Sequence, residues 1–341
     1  MKLLGKSFMS ATQAREGSIP SDWSGVPIPS VVVGELRKKS APTPHIIVFA
    51  NEKGGVGKTT LAFHSCTALC HSGAAVLAID LDNRQRSLTT SLEMREATAR
   101  ILKVGLPTPK FAALDKQSGG LLVQEIRRLG SDVNFVVIDL PGADTATARY
   151  ALAMADTIVT PVGSSVYDLD LLARFNPATR EFSTAGHFAA LIAELKNEKA
   201  QAGLRSPDWI VLRNRSRGSE RRLGEIVGAS LDEVASAIGC RIGTGLPESV
   251  NFRDLNGYGL TYLDLGLIPS IGKRNYKIEK TIGDVIGQYN LPGFEYQTPK
   301  NNGVERTTQN QRDKTTVPVK TSRAYYQALS SHRSPRILEK K

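Results

Sequence analysis

The sequence predicts an α/β fold, a mostly parallel sheet flanked by helices on both faces, and three observations predict it. Short apolar runs from His45 to Ala50, Ala75 to Ile79 and Val133 to Ile138 are near-continuous rather than alternating, as strands buried on both faces are. Two of them run straight into carboxylates, at Asp80-Leu81-Asp82 and at Asp139-Leu140-Pro141-Gly142. The first opens instead into a glycine-rich turn followed by helix-like residues from Thr59 to His71, and open α/β sheets bind ligands at the carboxyl ends of their strands.

That turn, Glu52-Lys53-Gly54-Gly55-Val56-Gly57-Lys58-Thr59-Thr60, fits the P-loop pattern with one lysine more than the pattern needs. Gly54, Gly55 and Gly57 let the backbone turn its amides toward a phosphate, with Val56 and Thr60 in the same cradle. Lys58 reaches the outer phosphates and the Thr59 hydroxyl can ligate magnesium. The helix N-terminus adds free amides and a favourable dipole. A chance meeting of glycines and lysines is the competing explanation, and the strand-loop-helix context weighs against it. The extra Lys53 stands where a lysine can reach across a dimer interface to phosphates held by a second subunit, the deviant Walker A arrangement. Asp139 is the Walker B candidate, holding magnesium through water, and Gly142 can bring its amide near the terminal phosphate. Asp82 also has a plain structural reading as a helix N-cap before Ser87 to Leu92.

Asn51-Glu52-Lys53-Gly54-Gly55, Ile79-Asp80-Leu81-Asp82 with Arg84-Gln85-Arg86, and Ile138-Asp139 with Pro141-Gly142 resemble the ParA/MinD superfamily, specifically its MipZ branch. Asp168-Leu169-Asp170, Asp208 to Arg215, Gly245-Leu246 and Arg253-Asp254-Leu255 extend the likeness, which runs from about His45 to about Leu267. The resemblance implies a weak ATPase that sandwiches two ATP molecules between two subunits and switches between monomer and dimer. It implies nonspecific DNA binding by the dimer, a ParB-like partner for the monomer, and inhibition of FtsZ polymerisation to place the division plane. It makes Lys53 the trans-acting lysine, Lys58 and Thr59 the phosphate and magnesium residues, and Asp82 the residue that orients the attacking water. It also puts Asp80 close to magnesium and Asn214 against adenine. Positioning and charge stabilisation carry most of phosphoryl transfer, so such a set needs no covalent nucleophile. Two positions depart from the family: its Thr between Asp and Pro is Leu140, and the Gly after Pro-Gly is Ala143.

The 341 residues divide into an extended or disordered arm over 1–44, an ATPase domain over 45–297 and a basic, disordered tail over 298–341. No apolar core of adequate length follows Lys2 to make a secretory signal, and no stretch approaches the roughly 20 apolar residues of a membrane span. The expected location is the cytoplasm, at the nucleoid. The net charge is +11, and from Lys300 onward ten basic residues face three acidic ones. A tail of that kind is a solubilising end or a contact for nucleic acid. Arg213, Arg215, Arg217, Arg221 and Arg222 form a second basic cluster, the last three entering an expected helix. Of these, Arg215, Arg217, Arg221 and Arg222 are candidates for gripping DNA phosphates, against an ordinary solvated helix end or service to the nucleotide. Cys66, Cys70, His64 and His71 share one helix and read as packing residues rather than metal ligands. With Cys240 the third and last cysteine, neither a disulfide framework nor a four-thiolate cluster can form. A ParA-type plasmid or chromosome partition ATPase is the alternative function. A MinD-type membrane regulator lacks a broad apolar face at Ser322 to Leu329. A bacterial P-loop tyrosine kinase would end in a tyrosine cluster, whereas Tyr325-Tyr326 is only a pair.

Overall fold

The computed structural model describes residues 29–37, 44–163, 169–215 and 234–294, except positions 115, 117, 177, 179–181 and 249. Its strands are β1 (His45–Phe49), β2 (Val76–Asp80), β3 (Lys110–Ala113), β4 (Phe135–Asp139), β5 (Thr157–Val162), β6 (Ala173–Phe175), β7 (Phe182–Ala185), β8 (Asp208–Arg213) and β9 (Arg241–Thr244). Seven of them form one sheet in the order β3-β2-β4-β1-β5-β8-β9, and every pairing in it is parallel. β6 and β7 make a separate antiparallel pair. The helices are α1 (Pro29–Arg37), α2 (Lys58–His71), α3 (Ser87–Leu102), α4 (Gly119–Leu129), α5 (Ala146–Met154), α6 (His187–Gln201), α7 (Val250–Asn256) and α8 (Tyr276–Gly287).

Two apolar layers hold the sheet. Along β1 the side chains alternate, Ile46 and Val48 facing one layer, Ile47 and Phe49 the other, as the two-residue period of a strand requires. The first layer gathers Leu122 and Ile126 of α4, Leu152 of α5 and Phe188 and Ile192 of α6. The second gathers Leu61 and Phe63 of α2, Leu92 of α3, Phe252 of α7 and Ile282 of α8. Parallel register then sets the functional edge: Phe49 and Asp80 both stand level with Asp139, so the ends of β1, β2 and β4 meet. A parallel pair requires a crossover, and the helices of both layers are those crossovers.

The arm expected to be extended or disordered over 1–44 departs from that reading at Pro29–Arg37. Val31-Val32-Val33 lie in a helix, α1, that packs on α5 and α6. Val32 and Val33 are fully buried in the first layer, a gain of about 1.5–3 kcal/mol each relative to exposure. A run of three valines lacks the length from which a helical period can be read.

On the same side Lys199 of α6 is buried and donates to the carbonyls of Ala153 at 2.8 Å and Ala155 at 3.1 Å, capping the C-terminus of α5. Burial lowers its pKa to about 8, with Asp156 opposing. The folded protein therefore binds fewer protons than the unfolded chain between about pH 8 and 10.5, and this lysine makes stability rise with pH there, by up to about 3 kcal/mol. In Lys199→Met that rise should be absent from urea titrations at pH 8 and 10, relative to the unsubstituted chain; parallel curves for the two proteins would refute it.

Candidate functional site

β1 delivers Asn51 to the start of the loop, and Asn51 fastens it. Its Nδ2 donates to the Pro161 carbonyl of β5 at 2.7 Å, and its Oδ1 accepts the Lys53 amide at 2.8 Å. The turn that follows needs left-handed backbone at Gly55 and Gly57, where φ is +76° and +95°, values that side chains other than glycine rarely adopt. α2 then begins at Lys58 with no side-chain cap on its first amides, which leaves them to an anion. The Lys58 ammonium folds back into the loop and donates to the Lys53 carbonyl at 3.0 Å. Burial lowers the Lys58 pKa, opposed by Asp139 and Asp82, so both carboxylates act on the ammonium.

Thr59 and Asp139 meet where the sequence put the metal. The Thr59 hydroxyl donates to Asp139 Oδ2 at 2.6 Å, while Asp139 Oδ1 is buried and accepts no hydrogen bond. Burial pushes the Asp139 pKa up to about 7, the Thr59 hydrogen bond and Lys58 opposing and Asp80 and Asp82 adding to it. A desolvated carboxylate with an unpartnered oxygen beside a threonine hydroxyl suits a hard divalent cation that takes oxygen ligands, so these residues fit magnesium. Gly142 packs against the loop: a Cβ there would lie 3.3 Å from the Glu52 carbonyl, a tight approach, and 3.7 Å from Lys58 Nζ.

Asp80 and Asp82, two residues apart, turn to different partners. The resemblance puts Asp80 near magnesium; Asp80 stands level with Asp139, and both of its oxygens accept hydrogen bonds. Oδ1 accepts the Asp82 amide at 3.0 Å, and Oδ2 accepts the Thr89 amide at 3.0 Å and hydroxyl at 3.3 Å. Asp80 thus caps the first turn of α3, the role considered for Asp82. Asp82 instead lines the cleft and accepts the amides of Arg84 and Gln85 at 3.2 and 3.0 Å, shaping the loop that leads to α3. Leu140, where the family has threonine, is buried in the first apolar layer, and Ala143 lines the cleft.

The cleft has a volume of about 900 Å³ and runs from the P-loop between Asp82 and Pro141-Gly142 to Asn214 and Leu246-Pro247-Glu248, with Phe252 and Asn256 of α7 beyond. Asn214, expected against adenine, lies in it with both ends of its amide engaged: Nδ2 donates to the Val56 carbonyl at 2.8 Å, and Oδ1 accepts the Leu246 amide at 2.9 Å. Arg215 turns to the same loop. Proposed from charge as a DNA contact, it folds onto the nucleotide loop, donating to the Gly55 carbonyl and, at 3.1 Å, to Glu248. Arg217, Arg221, Arg222 and Asp168 lie outside the described residues, as does the tail. Sequence reasoning missed Glu248, Phe252 and Asn256 because each reaches the cleft from far along the chain.

On α2, Cys66 Sγ donates to the Phe63 carbonyl at 3.2 Å. Cys66 is buried, with its pKa raised by burial, and His64 packs edge-on against Phe252 with its pKa lowered by burial to about 4. His71 bonds Asp264 at 2.7 Å. Among the described residues no helix is long and apolar enough to cross a membrane.

An all-parallel sheet, a loop of this geometry at its carboxyl edge and a Thr–Asp pair below it define a P-loop nucleotide-binding protein. Residues 45–293 match the family model of the ATPase MipZ, and the chain belongs to that family. Among curated relatives, the chromosome-partitioning ATPase Soj of Thermus thermophilus is 32% identical over 144 residues, covering 36% of this chain and 57% of its own. Protein ParA of Rhizobium radiobacter is 29% identical over 123 residues, covering 36% and 50%. The chain thus spans about half the length of these relatives. Among solved structures, apo McdA of Cyanothece is 20% identical with a TM-score of 0.49, over 71% of this chain and 97% of that one. MinD of Aquifex aeolicus is 19% identical with a TM-score of 0.45, over 72% and 96%.

Proposed function

We propose that this chain is an ATP-switched regulator that cycles between a monomer and a homodimer sandwiching two ATP molecules. It hydrolyses ATP weakly in the dimer, binds DNA without sequence preference and positions the division plane. The supporting observation is the joint placement of Lys53, Lys58, Thr59 and Asp139 on one loop and one strand end. Lys58 reaches the outer phosphates on exchanging its bond to the Lys53 carbonyl for phosphate oxygens, and Lys53 completes the neighbouring subunit's site. Thr59 and Asp139 would hold magnesium, which when bound would supply positive charge against the phosphates. Asp82 orients the attacking water from the loop before α3, and the Gly142 amide meets the terminal phosphate. DNA is held by Arg217, Arg221 and Arg222 and by the basic tail, a ParB-like protein engages the monomer, and FtsZ is the regulated target. The protein works in the cytoplasm at the nucleoid. A second reading, plasmid or chromosome partition with a ParB-like partner, draws support from the names of the Soj and ParA relatives.

Lys53→Ala should retain ATP binding and lose dimerisation, whereas Asp82→Ala should accumulate as an ATP-bound dimer. Light scattering with ATP or ADP reads both, and DNA binding by Asp82→Ala at low salt should require ATP. Ordinary turnover by both variants would sink the assignments. DNA binding that ignores nucleotide and vanishes on removal of residues 298–341 would reduce the DNA contact to the charge of the tail.

A further inference from the structure

Two neighbouring residues at the end of β8 grip two successive carbonyls of the P-loop. Arg215 Nη1 donates to the Gly55 carbonyl, and Asn214 Nδ2 donates to the Val56 carbonyl at 2.8 Å. In a trans peptide the carbonyl and the next amide point in opposite directions. Pinning the Gly55 carbonyl therefore turns the Val56 N–H away from the guanidinium, and pinning the Val56 carbonyl turns the Gly57 N–H away from the Asn214 amide. Successive amides turned to one side make an anion-binding concavity.

The clamp is itself braced. The Asn214 amide donates to the Val162 carbonyl and the Arg215 amide to the Leu246 carbonyl, each at 2.8 Å, which ties the pair to β5 and to the loop after β9. Asn214 Oδ1 accepts from Leu246, and Arg215 Nη2 bonds Glu248. Arg215 adopts left-handed backbone, φ +57°, uncommon outside glycine and tolerated where surrounding contacts over-determine it. Gly57 accommodates the arrangement, since a Cβ there would lie 2.3 Å from Asn214 Nδ2.

We infer that Asn214 and Arg215 are positioning residues that orient the P-loop amides toward the phosphates, rather than a base reader and a DNA contact. The inference rests on the nucleotide reading of the cleft. It makes their contribution a matter of phosphate affinity, independent of the base.

Competition against a fluorescent ADP analogue tests it, with ATP and inorganic tripolyphosphate as competitors, on the full chain carrying Asn214→Asp, Arg215→Ala or Arg215→Lys. Asn214→Asp keeps size and removes the donor; Arg215→Lys keeps one donor and should recover part of the loss. Both donor-deleting variants should weaken ATP and tripolyphosphate by the same factor, about 10-fold or more, while the salt dependence of DNA binding by Arg215→Ala stays that of the unsubstituted chain. Loss for ATP alone would make Asn214 a base reader, and a reduced salt slope with unchanged nucleotide affinity would make Arg215 a DNA contact. Unchanged affinities throughout also overturn the inference, as would an Arg215→Lys variant no better than Arg215→Ala. A chain that binds neither competitor before substitution would instead remove the nucleotide reading on which this rests.

Discussion

Asp264→Ala is expected to destabilise the fold by about 3–5 kcal/mol, because it strands a buried guanidinium. The Arg95 and Asp264 side chains are wholly inaccessible and meet in a two-pronged pair, Nη1 to Oδ2 and Nη2 to Oδ1, each at 2.7 Å. Both side chains have further partners. Arg95 also donates to the carbonyls of Pro107 and Gly259, while Asp264 accepts from His71 and from the Thr261 amide at 2.7 Å. Burial alone would raise the Asp264 pKa; hydrogen bonds from Arg95 and His71 hold it well below the usual carboxylate range instead. Removing one partner leaves the other desolvated and uncompensated, whereas replacing both with apolar residues of similar volume is close to neutral. Urea denaturation of Asp264→Ala, Arg95→Met and the Arg95→Met/Asp264→Leu pair measures this. A single-variant loss below about 1 kcal/mol, or a double variant worse than either single one, would contradict it. The consequence reaches the cleft, since α3 carries both Arg95 and, at its N-terminal side, the loop shaped by Asp82.

Asp139→Asn should lower magnesium-dependent turnover, or magnesium affinity, by roughly 10–100-fold, the range for a partner acting on a metal through an outer shell. The substitution keeps the shape of the side chain and removes its charge. It replaces a carboxylate whose Oδ1 has no hydrogen-bond donor, so the melting temperature without nucleotide should not fall. Affinity for nucleotide in the absence of magnesium should change little, because Lys58 and the loop amides remain. Turnover against magnesium concentration, with thermal melting alongside, checks both halves. Unaltered turnover would show that the strand end serves the fold alone, and a lost fold would show that Thr59 depends on the charge for its place.

The strands and the P-loop were legible because they are local. Three apolar runs and a glycine-lysine pattern are each contained in a few residues, and parallel pairing brings their ends together. What sequence could not supply was orientation. Asp80 and Asp82 are two residues apart on one strand end, and nothing in their spacing says which side chain turns back to the Thr89 amide and which faces the cleft. Asn214 and Arg215 were visible as polar residues after a strand, but their partners, Gly55 and Val56, lie about 160 residues earlier. The Arg95–Asp264 pair is separated by 169 residues, and a buried charge pair leaves no periodic signal. Leu140 was read as a departure from the family; its burial supplies a packing reason for an apolar side chain there.

Helix α1 shows that kinship and solidity have different borders. The stretch shared with the family starts at residue 45, yet Val32 and Val33 are already interior atoms of the first layer. A chain cut at the point where its ancestry becomes recognisable would open a greasy furrow between α5 and α6. The stretch that matches the family is here shorter than the unit that packs to exclude water.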